Sequence, residues 1–176
     1  MYQITESNNK LLAKAMSKFN IPSLLVVFIF FGSYFLYAQN HQTLIDELLD
    51  SYQNIGEILS KGSTEGISLK AEEIISYTLK LKSNVPEEKA EQYNILMNRI
   101  ESHIQSLRGE KVVKLLRDKY DLLSHDILGY LNTFGTNKKY YVFACTGDLM
   151  HWVQQGKKQN DPYCTNPCGK IIRVIK

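Results

Sequence analysis

Residues 21–38, IPSLLVVFIFFGSYFLYA, contain no charged side chain. A helix needs about 20 mainly apolar residues to cross the hydrocarbon region of a bilayer, and with its uncharged neighbours this segment reaches that length. Tyr34 and Tyr37 lie near one end, where amphipathic rings suit the headgroup boundary. The segment therefore predicts a single membrane-spanning helix, and such a helix separates the rest of the chain onto the two sides of a membrane.

The charges that flank this segment predict its orientation. The segment is preceded by Lys10, Lys14 and Lys18, whereas the first charges after it are the carboxylates of Asp46 and Glu47. Cytoplasmic flanks carry an excess of Lys and Arg. We therefore expect residues 1–20 to be a cytoplasmic segment and residues 21–38 to be a single-pass anchor in the cell inner membrane. Residues from about 40 onward are then periplasmic or otherwise extracytoplasmic.

A cleaved signal peptide is the alternative interpretation of the apolar segment. Signal peptides end in a cleavage site with small residues at the last and the third-last positions. Ala38 fits the last position, but Leu36 is too large for the third-last one. Residues 1–20 also form a longer leading region than most signal peptides carry. We favour an uncleaved anchor, and both interpretations put most of the chain outside the cytoplasm.

Four segments after the anchor have apolar residues three and four positions apart, which is the spacing of a helix with one buried stripe. They cover residues 41–59, 64–81, 86–107 and 110–134. The second stripe includes Leu79, the fourth begins with Val112, and Gly135 is a suitable C-terminal cap. Amphipathic helices joined by short links pack most simply as an antiparallel four-helix bundle. We expect this bundle to occupy residues 40–135.

The tail, residues 136–176, has a different pattern. Residues 139–145 and 170–176, KYYVFAC and KIIRVIK, are rich in β-branched and aromatic side chains and too short for helices. They predict two strands that pair with each other and bring Cys145 near Cys168. The predicted fold is therefore mainly α, with a transmembrane helix, an antiparallel four-helix bundle and a short C-terminal β-strand pair that carries a Cys-rich loop packed on the bundle.

The tail holds all three cysteines of the chain, Cys145, Cys164 and Cys168, and its one tryptophan, Trp152. Outside the cytoplasm, thiols either oxidise to disulfides or are protected by a ligand such as a metal. Because three is an odd number, one disulfide within the chain leaves one thiol over. A disulfide from Cys145 to Cys164 or Cys168 and a metal site are both open, and Trp152 and Tyr163 are expected to pack the tail on the helices.

Several motifs follow one another in a fixed order along the last helix and the tail. They are RDKYDLLS at residues 117–124, Cys145, Trp152-Val153, Asp161-Pro162-Tyr163 and Cys168-Gly169. In this order they resemble a heavy-metal-associated helical domain family of unknown function, found in or beside periplasmic adaptor (membrane fusion) proteins of copper and silver efflux. The resemblance covers most of residues 44–174. It implies an envelope-facing metal-binding module tied to heavy-metal handling.

The tail departs from the family pattern at its methionines. Thr146 and Gly147 stand where the family has Pro-Met after its first cysteine, and Cys164 is an additional cysteine. Thiolate and thioether ligands favour Cu(I), and three thiolates with one imidazole also suit tetrahedral Zn²⁺. The resemblance therefore implies a Cu(I), Ag(I) or Zn²⁺ site built from a set of soft ligands and one imidazole: Cys145, Met150, His151, Cys164 and Cys168.

Other function classes have little support in the sequence. The net charge of +3 is small, and no basic stripe with interleaved aromatics indicates a nucleic-acid partner. No phosphate-binding loop, carboxylate pair or Cys-His arrangement indicates an enzyme. We therefore predict a membrane-anchored, extracytoplasmic accessory protein that binds a copper-like metal for an efflux or other envelope protein partner. The alternative is a disulfide-stapled helical interaction module of an envelope complex, with no metal.

Overall fold

The structure is a computed structural model that describes residues 21–83, 85, 89–145, 150–164, 166 and 168–176, with the backbone only for residues 21–39. The chain divides into two compact units, residues 1–40 and residues 41–176. The predicted cytoplasmic segment and the side chains of the predicted anchor lie outside the described residues. Within the part of the chain that is described, no helix is both long and apolar enough to cross a membrane.

The described part of the chain contains four helices ahead of the tail. They are α1 Ile21–Ser60, α2 Ile67–Lys82, α3 Ala90–Leu107 and α4 Val113–Phe134. From His41 onward they confirm the predicted helical bundle. Gly135 caps α4 as predicted: its φ is 75°, a conformation that favours glycine, and its N–H donates to the carbonyl of Leu131.

Neighbouring helices of the bundle pack antiparallel to each other. At one end of the pair formed by α3 and α4, Lys119 Nζ donates to the carbonyl of Ser106 at 2.8 Å. At the other end, the rings of Tyr93 and Phe134 meet edge to face, with centroids 5.3 Å apart. The start of α4 also reaches the end of α1, because the Arg117 guanidinium donates to the carbonyl of Leu59 at 3.1 Å.

The predicted stripes form one apolar core, with two exceptions. Leu79 is 52% exposed, whereas the neighbouring Thr78 is buried. Thr78 lies in step with the other buried positions of α2, and its hydroxyl is satisfied because it donates to the carbonyl of Ile74 at 2.8 Å. Val112 is 53% exposed because it precedes α4, which begins at Val113. The assignment of Leu79 and Val112 to the buried stripes is therefore wrong.

The tail forms a sheet of three strands, β1 Tyr140–Cys145, β2 His151–Gln154 and β3 Gly169–Ile175. β1 lies between β2 and β3 and is antiparallel to both. The predicted pairing of the two outer segments of the tail is confirmed, with Cys145 opposite Gly169. β2 is an addition to the predicted pair, because four residues are too few to show a strand periodicity.

β3 is an edge strand of this sheet, and its side chains from Lys170 to Val174 are exposed. Its pairing with β1 is interrupted by a bulge. Val142 lies opposite Arg173 and Phe143 lies opposite Ile171, so Ile172 has no counterpart on β1. A bulge increases the local twist of a strand and interrupts its regular hydrogen bonding.

Candidate metal centre in the tail

Trp152 packs the interior of the tail. Its ring stacks on Phe143 with centroids 5.1 Å apart, meets Tyr163 edge to face at 5.8 Å, and is 2% exposed. Its Nε1 donates to the Gln154 side chain at 3.1 Å. A Cβ atom at Gly169 would collide with the indole. Glycine at this position therefore lets the indole lie directly on the backbone beside Cys168.

A group of buried hydroxyls joins the tail to α1 and α4. Tyr52 of α1 stacks on Tyr120 of α4, with centroids 4.9 Å apart. The Tyr52 hydroxyl lies 2.8 Å from Ser124 Oγ and accepts the N–H of Val153 at 3.3 Å. The Tyr163 hydroxyl donates to the carbonyl of His151 at 3.0 Å. The bonds of Tyr52 fix β2 on the helices, and the bond of Tyr163 fixes the loop that carries it on β2.

Burial makes these tyrosines hard to ionise. It raises the pKa of Tyr52 and raises the pKa of both Tyr120 and Tyr163 well above the usual value near 10. Burial also raises the pKa of Tyr140, at the start of β1, to about 12. In each case the phenolate would lose more hydration than its hydrogen bonds return.

We therefore expect the folded chain to lose stability above about pH 10. A pKa that is higher in the folded state than in the unfolded state stabilises the fold fully below the unfolded value, and this contribution is lost as the pH rises through the folded value. Urea denaturation of the full-length chain at about pH 8 and about pH 11 should give a clearly lower free energy of unfolding at the higher pH.

The variant Tyr140→Phe tests the origin of this effect, because phenylalanine keeps the ring and cannot ionise. It should lose less stability than the chain that keeps Tyr140 between the two pH values. Both chains should carry Cys164→Ser, so that thiol chemistry at high pH does not contribute. Equal losses in the two chains would contradict a contribution from Tyr140.

A disulfide joins Cys145, the last residue of β1, to Cys168, which precedes β3. The Cα atoms are 5.5 Å apart, and the residues are 23 positions apart in sequence. The sheet register explains the pairing, because Cys145 lies opposite Gly169. Of the two disulfides that the sequence leaves open, the structure therefore contains the one with Cys168. The bond is largely buried, since Cys145 is 4% exposed and Cys168 is half-buried.

Asp161 organises the loop that carries the other cysteine. One carboxylate oxygen accepts the N–H groups of Tyr163 at 3.0 Å and Cys164 at 3.2 Å. The other accepts the N–H of Cys168 at 3.0 Å. Because one side chain, only 1% exposed, holds the backbone of both cysteines, it fixes their separation. The Sγ atoms of Cys164 and Cys168 lie 3.2 Å apart.

The three sulfur atoms and the carboxylate converge on one point. One ligand atom each from Cys145, Asp161, Cys164 and Cys168 lies within 4.8 Å of every other. Zn–S bonds of about 2.3 Å in a tetrahedral site put sulfur atoms about 3.8 Å apart, so a metal ion can bind all three sulfur atoms only after the disulfide between Cys145 and Cys168 is reduced and these two atoms separate. Asp161 is an addition to the sequence-based ligand set. The sequence signal for this residue is an aspartate that closely precedes residues whose main-chain N–H groups can donate to its carboxylate, as in an Asx-turn.

The structure does not bring the side chain of His151 into this group of four, as far as its described residues show. The His151 ring instead lies 5.8 Å from the ring of His125, and its buried Nδ1 has no hydrogen-bond partner among the described residues. Met150 contacts Cys145 through its carbonyl, which accepts the Cys145 N–H at 2.9 Å, and its half-buried side chain lines a cavity with Tyr163. The thiol sulfur atoms of the three cysteines are therefore the part of the predicted ligand set that the fold brings together.

Neither a scan of protein-family models nor searches of curated proteins and solved structures find a match to this chain. The relation to heavy-metal-associated domains rests on the motifs of the last helix and the tail, and it stays a prediction.

Proposed function

We propose that the tail binds one soft metal ion, of the Cu(I) or Ag(I) class, through Cys145, Cys164 and Cys168 when the disulfide is reduced. The observation that supports this proposal is the convergence of their three sulfur atoms with an Asp161 oxygen within 4.8 Å. The cluster belongs to a packed part of the fold, because Cys145 and Asp161 are buried. The ligands would therefore be held close together before a metal arrives.

The chemistry of the donors favours a soft ion. Thiolates are soft ligands that select Cu(I), whereas a carboxylate suits harder ions. Asp161 already accepts main-chain N–H groups from the loop. Its main role would be to orient Cys164 and Cys168, and it would serve as a fourth ligand only for Zn²⁺, which takes four ligands. Metal and disulfide exclude each other, because both use the sulfur atoms of Cys145 and Cys168.

The placement of the protein is part of the same proposal. Disulfides persist mainly in oxidising compartments, and this supports a tail outside the cytoplasm. The charge-free residues 21–38 support a membrane anchor on the grounds of sequence. We propose that the chain is a membrane-anchored accessory protein of a bacterial envelope. It holds metal for an efflux or metal-handling partner and performs no catalysis itself.

A titration of the reduced chain tests the metal site. The full-length protein, kept in a mild detergent because of its apolar segment, is reduced and titrated anaerobically with Cu(I) against a chromophoric Cu(I) chelator. We expect one ion per chain and protection of all three thiols from alkylation, because each thiolate is a ligand. Zn²⁺, titrated in the same way, measures the preference for the soft ion.

Two variants control this titration. Replacing all three cysteines by serine should abolish the one-to-one binding, whereas His151→Ala should leave it unchanged because His151 lies outside the cluster. Failure of the reduced wild-type chain to compete with the chelator would overturn the proposed metal site.

The disulfide itself favours a second candidate function. A tail stapled to a helical bundle can serve as a rigid interaction module for another envelope protein, with no metal. In that case the chain would be purified with Cys145 and Cys168 oxidised, it would bind no Cu(I) after reduction, and substitution of the cysteines would only lower its stability. The same titration therefore separates the two candidates.

A further inference from the structure

The cysteine cluster has a second property, which concerns the oxidised chain and does not depend on the proposed metal site. Cys164 lies outside the disulfide, and its Sγ is 3.2 Å from the Sγ of Cys168. Cys168 is itself bonded to Cys145. A disulfide is exchanged when a thiolate attacks one of its sulfur atoms, so an attacking group is already in contact with the bond.

Cys168 is the sulfur that Cys164 is placed to attack. The carboxylate of Asp161 binds the N–H groups of Cys164 and Cys168 through its two different oxygens. This arrangement holds the two residues side by side without a covalent link between them. Asp161 is therefore a positioning residue, and the buried Cys145 is the leaving group on the far side of the bond.

We propose that the tail is an internal thiol–disulfide exchange site in which Cys164 displaces Cys145 from Cys168. The thiolate of Cys164 forms a bond to Cys168 Sγ, the bond between Cys145 and Cys168 breaks, and its electron pair leaves on Cys145 Sγ. Cys164 releases its proton to water, and Cys145 takes up a proton from water. One disulfide is exchanged for another, so no oxidant or reductant is consumed.

The exchange changes what the disulfide connects. The bond to Cys145 links β1 to the start of β3 across 23 positions, whereas a bond between Cys164 and Cys168 closes a loop of four positions within one segment. It also moves the disulfide from a partner that is 4% exposed to one that is half-buried. Exchange therefore removes the covalent link between β1 and the start of β3. It also makes the disulfide more accessible to thiols in solution.

The test maps disulfides in the oxidised full-length chain. The folded protein is incubated at neutral pH without reductant, quenched in mild acid to stop exchange, unfolded, labelled with N-ethylmaleimide and digested without reduction. Mass spectrometry then locates the label. We expect two populations, one labelled on Cys164 with Cys145 bonded to Cys168, and one labelled on Cys145 with Cys164 bonded to Cys168. Cys168, as the sulfur common to both bonds, should carry no label.

Two results would overturn the proposal. The first is label on Cys164 in every chain and on Cys145 in none. The second is label on Cys168 as often as on Cys145, because this shows random scrambling during unfolding. The control Cys164→Ser should retain the bond between Cys145 and Cys168 and show no label on either. Because this measurement uses oxidised protein and no metal, its failure is distinct from a failure of the Cu(I) titration.

Discussion

Replacing Trp152 by alanine should lower the free energy of unfolding of the full-length chain by about 3 to 5 kcal/mol, the usual range for a buried tryptophan. The indole is in contact with Phe143 on β1, with Tyr163 and with the backbone at Gly169. Alanine would leave a cavity between all three. It would also remove the hydrogen bond that Nε1 donates to the Gln154 side chain. Urea denaturation followed by far-ultraviolet circular dichroism measures this loss.

Two control variants separate the contributions. Trp152→Phe keeps a ring in the cavity and should lose less stability than Trp152→Ala. Leu122→Ala removes an exposed side chain and should change the free energy of unfolding by about 0.5 kcal/mol or less. A loss for Trp152→Ala as small as that for Leu122→Ala would show that the tail does not depend on the indole.

Reducing the disulfide should lower the free energy of unfolding by about 3 kcal/mol, because a crosslink over 23 positions restricts the unfolded chain. The measurement is best made on Cys164→Ser, in which only the bond between Cys145 and Cys168 can form. Denaturation curves with and without a phosphine reductant then compare one sequence in two states, so no substituted side chain contributes to the difference.

The double variant Cys145→Ser/Cys164→Ser is the matched control, because it cannot form a disulfide within the chain and should not respond to the reductant. If the oxidised and reduced forms of Cys164→Ser unfold at the same denaturant concentration, the crosslink contributes nothing to stability. The contacts of Trp152 and Tyr52 would then be sufficient to hold the tail.

The helical part of the fold could be predicted because its information is local. Apolar residues at helical spacing mark each helix, and Gly135 marks the end of the last one. The prediction is wrong at Leu79 because an apolar side chain can also lie on the exposed face of a helix. Thr78 is buried in its place, since a carbonyl one turn earlier accepts its hydroxyl proton. Such a local bond is invisible to a pattern based on apolar residues.

The residues of the site could largely be predicted from the sequence, but their geometry could not. The three cysteines are evident in the sequence, whereas the choice of Cys168 as partner follows from the strand register that puts Cys145 opposite Gly169. His151 is a reasonable ligand by residue type, but β2 places it opposite Ala144, and its ring meets His125. The role of Asp161 depends on main-chain N–H groups that converge only after the loop has folded.

The bulged edge strand β3 affects how copies of the chain meet one another. An edge strand with exposed isoleucine and valine side chains can pair with a strand of another chain, and flat edges of this kind lead to aggregation. If two copies of β3 paired antiparallel about Arg173, that residue would face its own copy and Lys170 would face Lys176. Like charges directly opposite are destabilising, and the bulge at Ile172 spoils the regular hydrogen bonding. In this register the like charges and the bulge therefore oppose the pairing of two copies through β3.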